Sequence, residues 1–138
     1  MSKYSYEVGS TIETMSNVKV YGTDTLSDWD RVEPRGLGVE PFSVYRVATS
    51  GLEYGDGYPR VTWTFDVICQ AQLDALLNLL GEAQSAVVYI RTRNTDRTYS
   101  YYKAIMHRPR PGEEMTPSYN NHWRDVSLRF TRLEDQTV

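Results

Sequence analysis

RVTWTFDVICQAQLDALLNLLGEAQSAVVYIRT, residues 60–92, changes its hydrophobic period twice. Val61, Trp63, Phe65 and Val67 alternate with Thr62, Thr64 and Asp66, the period-2 pattern of a half-buried strand. Leu73, Leu76, Leu77 and Leu80 then fall at i, i+3, i+4 and i+7, an apolar stripe along one side of a short helix. Gly81 follows at the position where a left-handed residue ends a helix. Cys69 and Gln70 precede Ala71, so no Ser, Thr, Asp or Asn caps the helix start. Ala86 to Thr92 returns to β-formers. The centre of the chain therefore reads strand, helix, strand, with the leucine stripe as cover for an apolar strand face.

Outward from this unit the pattern is mostly β. Lys3 to Val8 reads as an arm or a short edge strand, and Asn17 to Tyr21 as a strand with Val18 and Val20 inward. Gly22 to Pro41 breaks into glycine, proline and acidic residues, a connection long enough to imply a functional or partner-contacting loop. Phe42 to Thr49 reads as a strand and Ser50 to Pro59 as a turn-rich loop. Downstream, Arg93 to Arg97 is a polar turn and Thr98 to Met106 the return strand of a hairpin. Arg108 to Asn121 is a loop interrupted by Pro109, Pro111 and Pro117. His122 to Leu133 is a long strand with Val126, Leu128 and Phe130 on one face. Helices do not alternate with strands, which excludes a doubly wound fold. The expected fold is mainly β: a single domain over 1–138, an antiparallel β-sandwich or open barrel flanked by one α-helix. Its expected core is Trp63, Phe65, Val67, Leu73, Leu76, Leu77, Leu80, Val126, Leu128 and Phe130.

Composition bounds the function. The chain has 138 residues, 40% hydrophobic and 24% charged, which suits an ordinary globular domain. Its net charge of −3 argues against phosphate-neutralising nucleic-acid binding, though not against a surface past which DNA slides. Eleven tyrosines and three tryptophans suit strands and interfaces. The N-terminus lacks an apolar signal segment, and no apolar run is long enough to cross a membrane, so synthesis in the cytoplasm and no membrane insertion are expected.

Catalytic signatures are missing: the sequence has no GxSxG, HExxH, P-loop or CxxC. Cys69 is the only cysteine and reads as a small buried thiol, while His107 and His122 lie in or beside the proline-rich loop. Gly55-Asp56-Gly57 reads as a tight turn, and Glu113-Glu114 as solvated. No catalytic residue, metal site or cofactor is expected. Basic residues (Arg91, Arg93, Arg97, Lys103, Arg108, Arg110, Arg124, Arg129, Arg132) gather in the second half and acidic ones in the first. That asymmetry would suit head-to-tail contact between copies, weakened by salt.

The succession YGDGYPRVTWTFDVI, QAQLDALLNLLG, VVYIRTRNTDRTYSYYKAIMHRPRP and DVSLRFTRLE, spanning about Ser50 to Glu134, resembles structural proteins of tailed-bacteriophage tails that share the tail-tube fold. That group holds tube proteins, the ring-forming domain of distal tail proteins, and tail-completion proteins. The resemblance implies a virion location and a non-enzymatic subunit in homo-oligomeric rings, usually of six. It also implies contact with other tail proteins, and a lumen through which DNA passes without specific binding. Loops and arms would join subunits; Gly22–Pro41 and Ser50–Pro59 fit that role. Candidate contact residues are Trp29, Leu37, Tyr54, Tyr58, Arg108 and Arg110. The alternative is a carbohydrate-binding β-sandwich module, with Trp29, Tyr54, Tyr58 and Tyr119 as sugar-stacking aromatics.

Overall fold

The computed structural model describes residues 6–22, 32–36, 38–42 and 44–136. In chain order its elements are β1 (Glu7–Gly9), β2 (Ser16–Asn17), β3 (Val44–Val47), β4 (Glu53–Asp56), β5 (Val61–Cys69), α1 (Gln70–Leu77), β6 (Ser85–Arg93), β7 (Tyr99–His107), β8 (Thr116–Pro117) and β9 (His122–Gln136). The main sheet runs β2-β1-β6-β7-β9-β5, with β8 also paired to β9, and every pair in it is antiparallel. β3 and β4 form a separate two-stranded ribbon. The protein is thus mainly β, an antiparallel assembly with one helix.

The sheet curls on itself. β5 and β6 are separated by β7 and β9 in the strand order, yet Trp63 Nε1 of β5 donates to Thr92 Oγ1 of β6 at 2.9 Å in the interior. Short bridges from residues 35, 39 and 40 reach both strands: Arg35 pairs with Thr64, Glu40 with Arg60 just before β5, and Val39 with Asn94 just beyond β6. Within the curl lie Trp63, Phe65, Val88, Ile90, Met106, Val126, Leu128 and Phe130. Trp63 sits 4.6 Å from Phe130 and meets Tyr6 edge-on at 5.5 Å, the offset geometries that ring quadrupoles favour. Burial pushes the Tyr6 hydroxyl up to about 12, with Tyr99 adding to the shift.

Helix α1 covers the core with Leu73 and Leu76, and Leu80 follows from a 3₁₀ turn over Asn78–Leu80; Leu77 is half-buried at the margin. Cys69 provides no side-chain cap. The helix start is held by the β5–β9 ladder instead: the Gln70 N–H donates to the Asn121 carbonyl at 2.7 Å, and Trp123 Nε1 donates to Gln70 Oε1. Gly81 ends the run with φ 60 and ψ −126, a backbone that suits glycine. The fully buried Gln72 donates to the carbonyls of Val18 at 3.2 Å and Val32 at 3.0 Å, tying both segments to the helix.

The structure corrects several sequence expectations. Asn17–Tyr21 is not one strand: β2 ends at Asn17, whose side chain accepts from the Lys19 N–H and starts a 3₁₀ turn over Val18–Val20. That turn keeps Val18 inside but swings Val20 out to 52% exposure. Lys3–Val8 yields β1, which is no edge strand because it pairs with both β2 and β6; the Lys3–Ser5 part lies outside the described residues. Ser50–Pro59 contains β4, and Arg108–Asn121 contains β8.

Val67 is the core expectation that fails: it is 46% exposed. The cause lies in β9. Asp125 takes φ 53, and the series of partners skips Asp66 and Asp125 between Phe65–Val126 and Val67–Arg124. After this break the facing of β5 inverts, so Asp66 and Val67 both point out while Ile68 and Cys69 are buried. A second break follows at Arg132, φ 54. Thr131 opposes Ile105 and Glu134 opposes Lys103, so β9 carries one extra residue opposite Ala104, a β-bulge. The inward series Val126, Leu128, Phe130 thereby shifts phase to Leu133. Val67→Thr should change unfolding stability by no more than about 0.5 kcal/mol, while Ile68→Ala should cost about 2–5 kcal/mol. The opposite ranking in urea titrations would show that the unbroken alternation was right.

Candidate assembly surface

The β3–β4 ribbon is a long hairpin arm continuous with the start of β5. Its turn has a clear local cause. Thr49, Ser50 and Gly51 link Ala48 to Leu52, with the Ala48 N–H donating to the Leu52 carbonyl at 2.8 Å and the Gly51 N–H to the Ala48 carbonyl at 2.9 Å. Gly51 has φ 87, the left-handed position that three-residue hairpin loops need. From there the register runs without a slip from Val47 opposite Glu53 to Val44 opposite Asp56, and reaches Glu40 opposite Arg60 at the base. At 3.3 Å per residue the arm extends roughly 25 Å from base to turn.

The base is anchored by reciprocal backbone bonds between Glu40 and Arg60 of 2.7 and 2.9 Å, and by their side-chain ion pair at 3.2 Å. Beyond it the arm is wet. Val44, Tyr45, Val47, Leu52 and Tyr54 are all exposed, Val47 and Leu52 at 69% and 72%. The two faces differ. Val44, Arg46, Tyr54 and Asp56 share one face, with Arg46 Nε bound to Asp56 Oδ2 at 3.2 Å. The other carries Tyr45, Val47 and Glu53, and Phe42 joins it by meeting Tyr45 edge-on at 6.2 Å. Gly55 lies opposite Tyr45 on that face, and a Cβ there would run into the Phe42 ring.

A two-stranded ribbon is marginal in water on its own, and contiguous exposed apolar surface marks an interaction site. Among the described residues, neither outer edge of the ribbon pairs with another strand. Among the described residues the arm thus leaves two strand edges unpaired and exposes apolar side chains on both faces, with Arg46 and Asp56 on one and Glu53 on the other. Full burial of each large apolar side chain there would contribute about 1.5–3 kcal/mol.

The sequence-derived contact candidates fare unequally. Tyr54 lies on the arm and Tyr58 at its base; Trp29 and Leu37 fall outside the described residues. Arg108 is occupied within the chain, donating to the carbonyls of Gly81 at 2.8 Å and Ala83 at 3.2 Å beyond the helix. Arg110 pairs with Glu113 at 3.5 Å and Glu114 at 4.0 Å. Glu114 is not simply solvated: it is partly buried and holds Arg129 at 2.5 Å. With Arg91 bound to Glu7, much of the basic half is satisfied internally, which weakens the case for charge-driven contact between copies. The sequence reading missed Phe42, Val44, Tyr45, Val47 and Leu52 as surface residues. The available signal was two β-rich runs flanking a short glycine-containing turn.

His107 Nε2 lies 2.8 Å from Thr131 Oγ1, and burial, then Arg129, lowers its affinity for a proton, so the imidazole is neutral near pH 7. Cys69 and His122 turn out to be directly opposite on β5 and β9, but Cys69 is buried where a substrate would not reach it. Among the described residues no group of three or more His, Cys, Asp or Glu could hold a metal ion, and no helix is long and apolar enough to cross a membrane. Compared with protein-family models, curated proteins and solved structures, the chain matches none.

Proposed function

We propose that the chain is a non-enzymatic structural subunit of a phage tail, assembling into rings or a tube around a DNA-conducting channel by seating its arm on a neighbouring copy. The arm is the observation that carries this reading: Val44, Tyr45, Val47, Leu52 and Tyr54 exposed on a ribbon whose outer edges pair with no other strand among the described residues. The mainly β fold with one helix is the architecture that the resemblance implies. Six subunits per ring, contact with other tail proteins, and a location in the virion come from the same resemblance. The net charge of −3 suits a channel wall that lets DNA pass without holding it.

The carbohydrate-binding alternative is less favoured. Tyr58 already has Arg132 over one ring face, with the guanidinium carbon 4.6 Å from the centroid. Tyr119 sits in the turn between β8 and β9, at the far end of β9 from Arg132, on the order of 30 Å along the strand. Tyr54, Tyr58 and Tyr119 therefore make no common stacking platform.

The test combines light scattering with negative-stain images. The wild type is expected to form rings or tubes, alone or when mixed with the other tail proteins. The double variant Tyr45→Ser/Val47→Asp should lose assembly while its melting temperature stays within a few degrees, because both side chains are already exposed. Assembly through an apolar face should also persist at high salt, where surface charge pairs are screened. A wild type that is monomeric in every mixture, or a double variant that still assembles, would overturn the reading.

A further inference from the structure

The strand entering the body from the arm passes directly beside the second break in β9. Arg132 occupies that break at φ 54, a conformation that glycine adopts at less cost than arginine. The backbone of the bulge therefore does not explain why an arginine stands there. Its side chain does. The guanidinium carbon lies 4.6 Å from the centre of the Tyr58 ring, and Nη2 donates to the Tyr58 hydroxyl at 3.3 Å. The next residue, Leu133, donates its backbone N–H to the Pro59 carbonyl at 3.1 Å, so adjacent residues of β9 grip adjacent residues of the arm base. On the arm side the chain bends at Gly57, φ 84, whose N–H donates to Asp56 Oδ1 at 2.9 Å.

We propose that Arg132 and Tyr58 form a latch that fixes the direction of the arm relative to the body, and that the β9 bulge presents Arg132 to Tyr58. Gly57 is the pivot and Tyr58 the first residue held on its body side. The arm's role in assembly rests on the function proposed above; the latch does not, because it is a contact within one chain.

Hydrogen exchange of the full-length protein, at dilutions where light scattering shows a single chain, tests it. Arg132→Gly keeps a residue suited to the bulge and removes the latch. Amides of residues 44–47 and 53–56 should exchange roughly two- to fivefold faster, the factor that an exposed cation–π contact represents. Exchange in β5, β7 and residues 122–130 of β9 should not change, and the melting temperature should hold or rise. Tyr58→Leu should reproduce the effect, and the double variant should add nothing to either single one. Arg132→Lys, which keeps a cation at the same backbone angle, should restore much of the wild-type protection. Unchanged arm exchange in Arg132→Gly, additive single effects, or a general loss of protection across β5, β7 and β9 would each overturn the latch. Assembly of the same samples separates the two proposals: a loosened arm with full assembly would count against the arm as the contact and leave the latch standing.

Discussion

Trp63→Ala should lower unfolding stability by about 3–5 kcal/mol, the range for removing a large aromatic side chain from a packed core. Trp63 is buried among Tyr6, Phe130 and Thr92, where it joins three parts of the structure: the segment before β1, β9 and β6. Its loss opens a cavity where the curled sheet meets itself, and the Thr92 hydroxyl loses its indole partner. Against a typical total of about 5–15 kcal/mol, this takes a large share of the stability. Trp63→Phe separates the two contributions, since it keeps most of the apolar volume and removes the hydrogen bond. A urea midpoint close to wild type for Trp63→Ala would mean that β5 and β6 are not joined through this side chain.

Glu7→Ala should cost a similar amount, about 3–5 kcal/mol, for an electrostatic reason. Glu7 and Arg91 are directly opposite on β1 and β6, 3.6 Å apart, with side chains only 6% and 7% exposed. The guanidinium also lies 5.4 and 5.6 Å from the Tyr99 and Tyr101 ring centres. Removing the carboxylate takes from a buried positive charge the counter-ion directly opposite it. The paired replacement Glu7→Leu/Arg91→Met removes both charges and should be far less damaging than Glu7→Ala, because the pair's desolvation cost disappears with it. A double variant as unstable as the single one would show that packing, not charge, sets the value of this site.

How much of this was legible in the sequence depended on how local each cause is. The β5–α1–β6 unit could be read because its period changes at the element boundaries, and Val126, Leu128 and Phe130 because their stretch of β9 alternates without interruption. Val67 was misplaced because the inversion of β5 arises from Asp125 on another strand, and neither Asp125 nor Arg132 is the glycine that would announce a left-handed position. The arm was missed for a related reason. Phe42 to Thr49 has the composition of a body strand, and nothing local tells a strand inside a sheet from one held out in water. Tyr54 and Tyr58 could be picked out as aromatics among glycines. Arg108 and Arg110 could not be placed, since the carbonyls of Gly81 and Ala83 that occupy Arg108 come from a distant part of the chain.

The even register of β3 and β4 makes the reach of the arm a variable separate from the fold. Side-chain facing repeats every two residues, so two residues inserted on each strand would advance the tip by roughly 7 Å and leave the Tyr45 and Val47 face where it is. A single residue on each side would instead invert that face beyond the insertion. The arm is in this sense a ruler graduated in pairs. Under the proposed function, the spacing to a neighbouring copy would be reset by matched insertions near the turn, while Trp63, Glu7 and the rest of the sheet stay as they are.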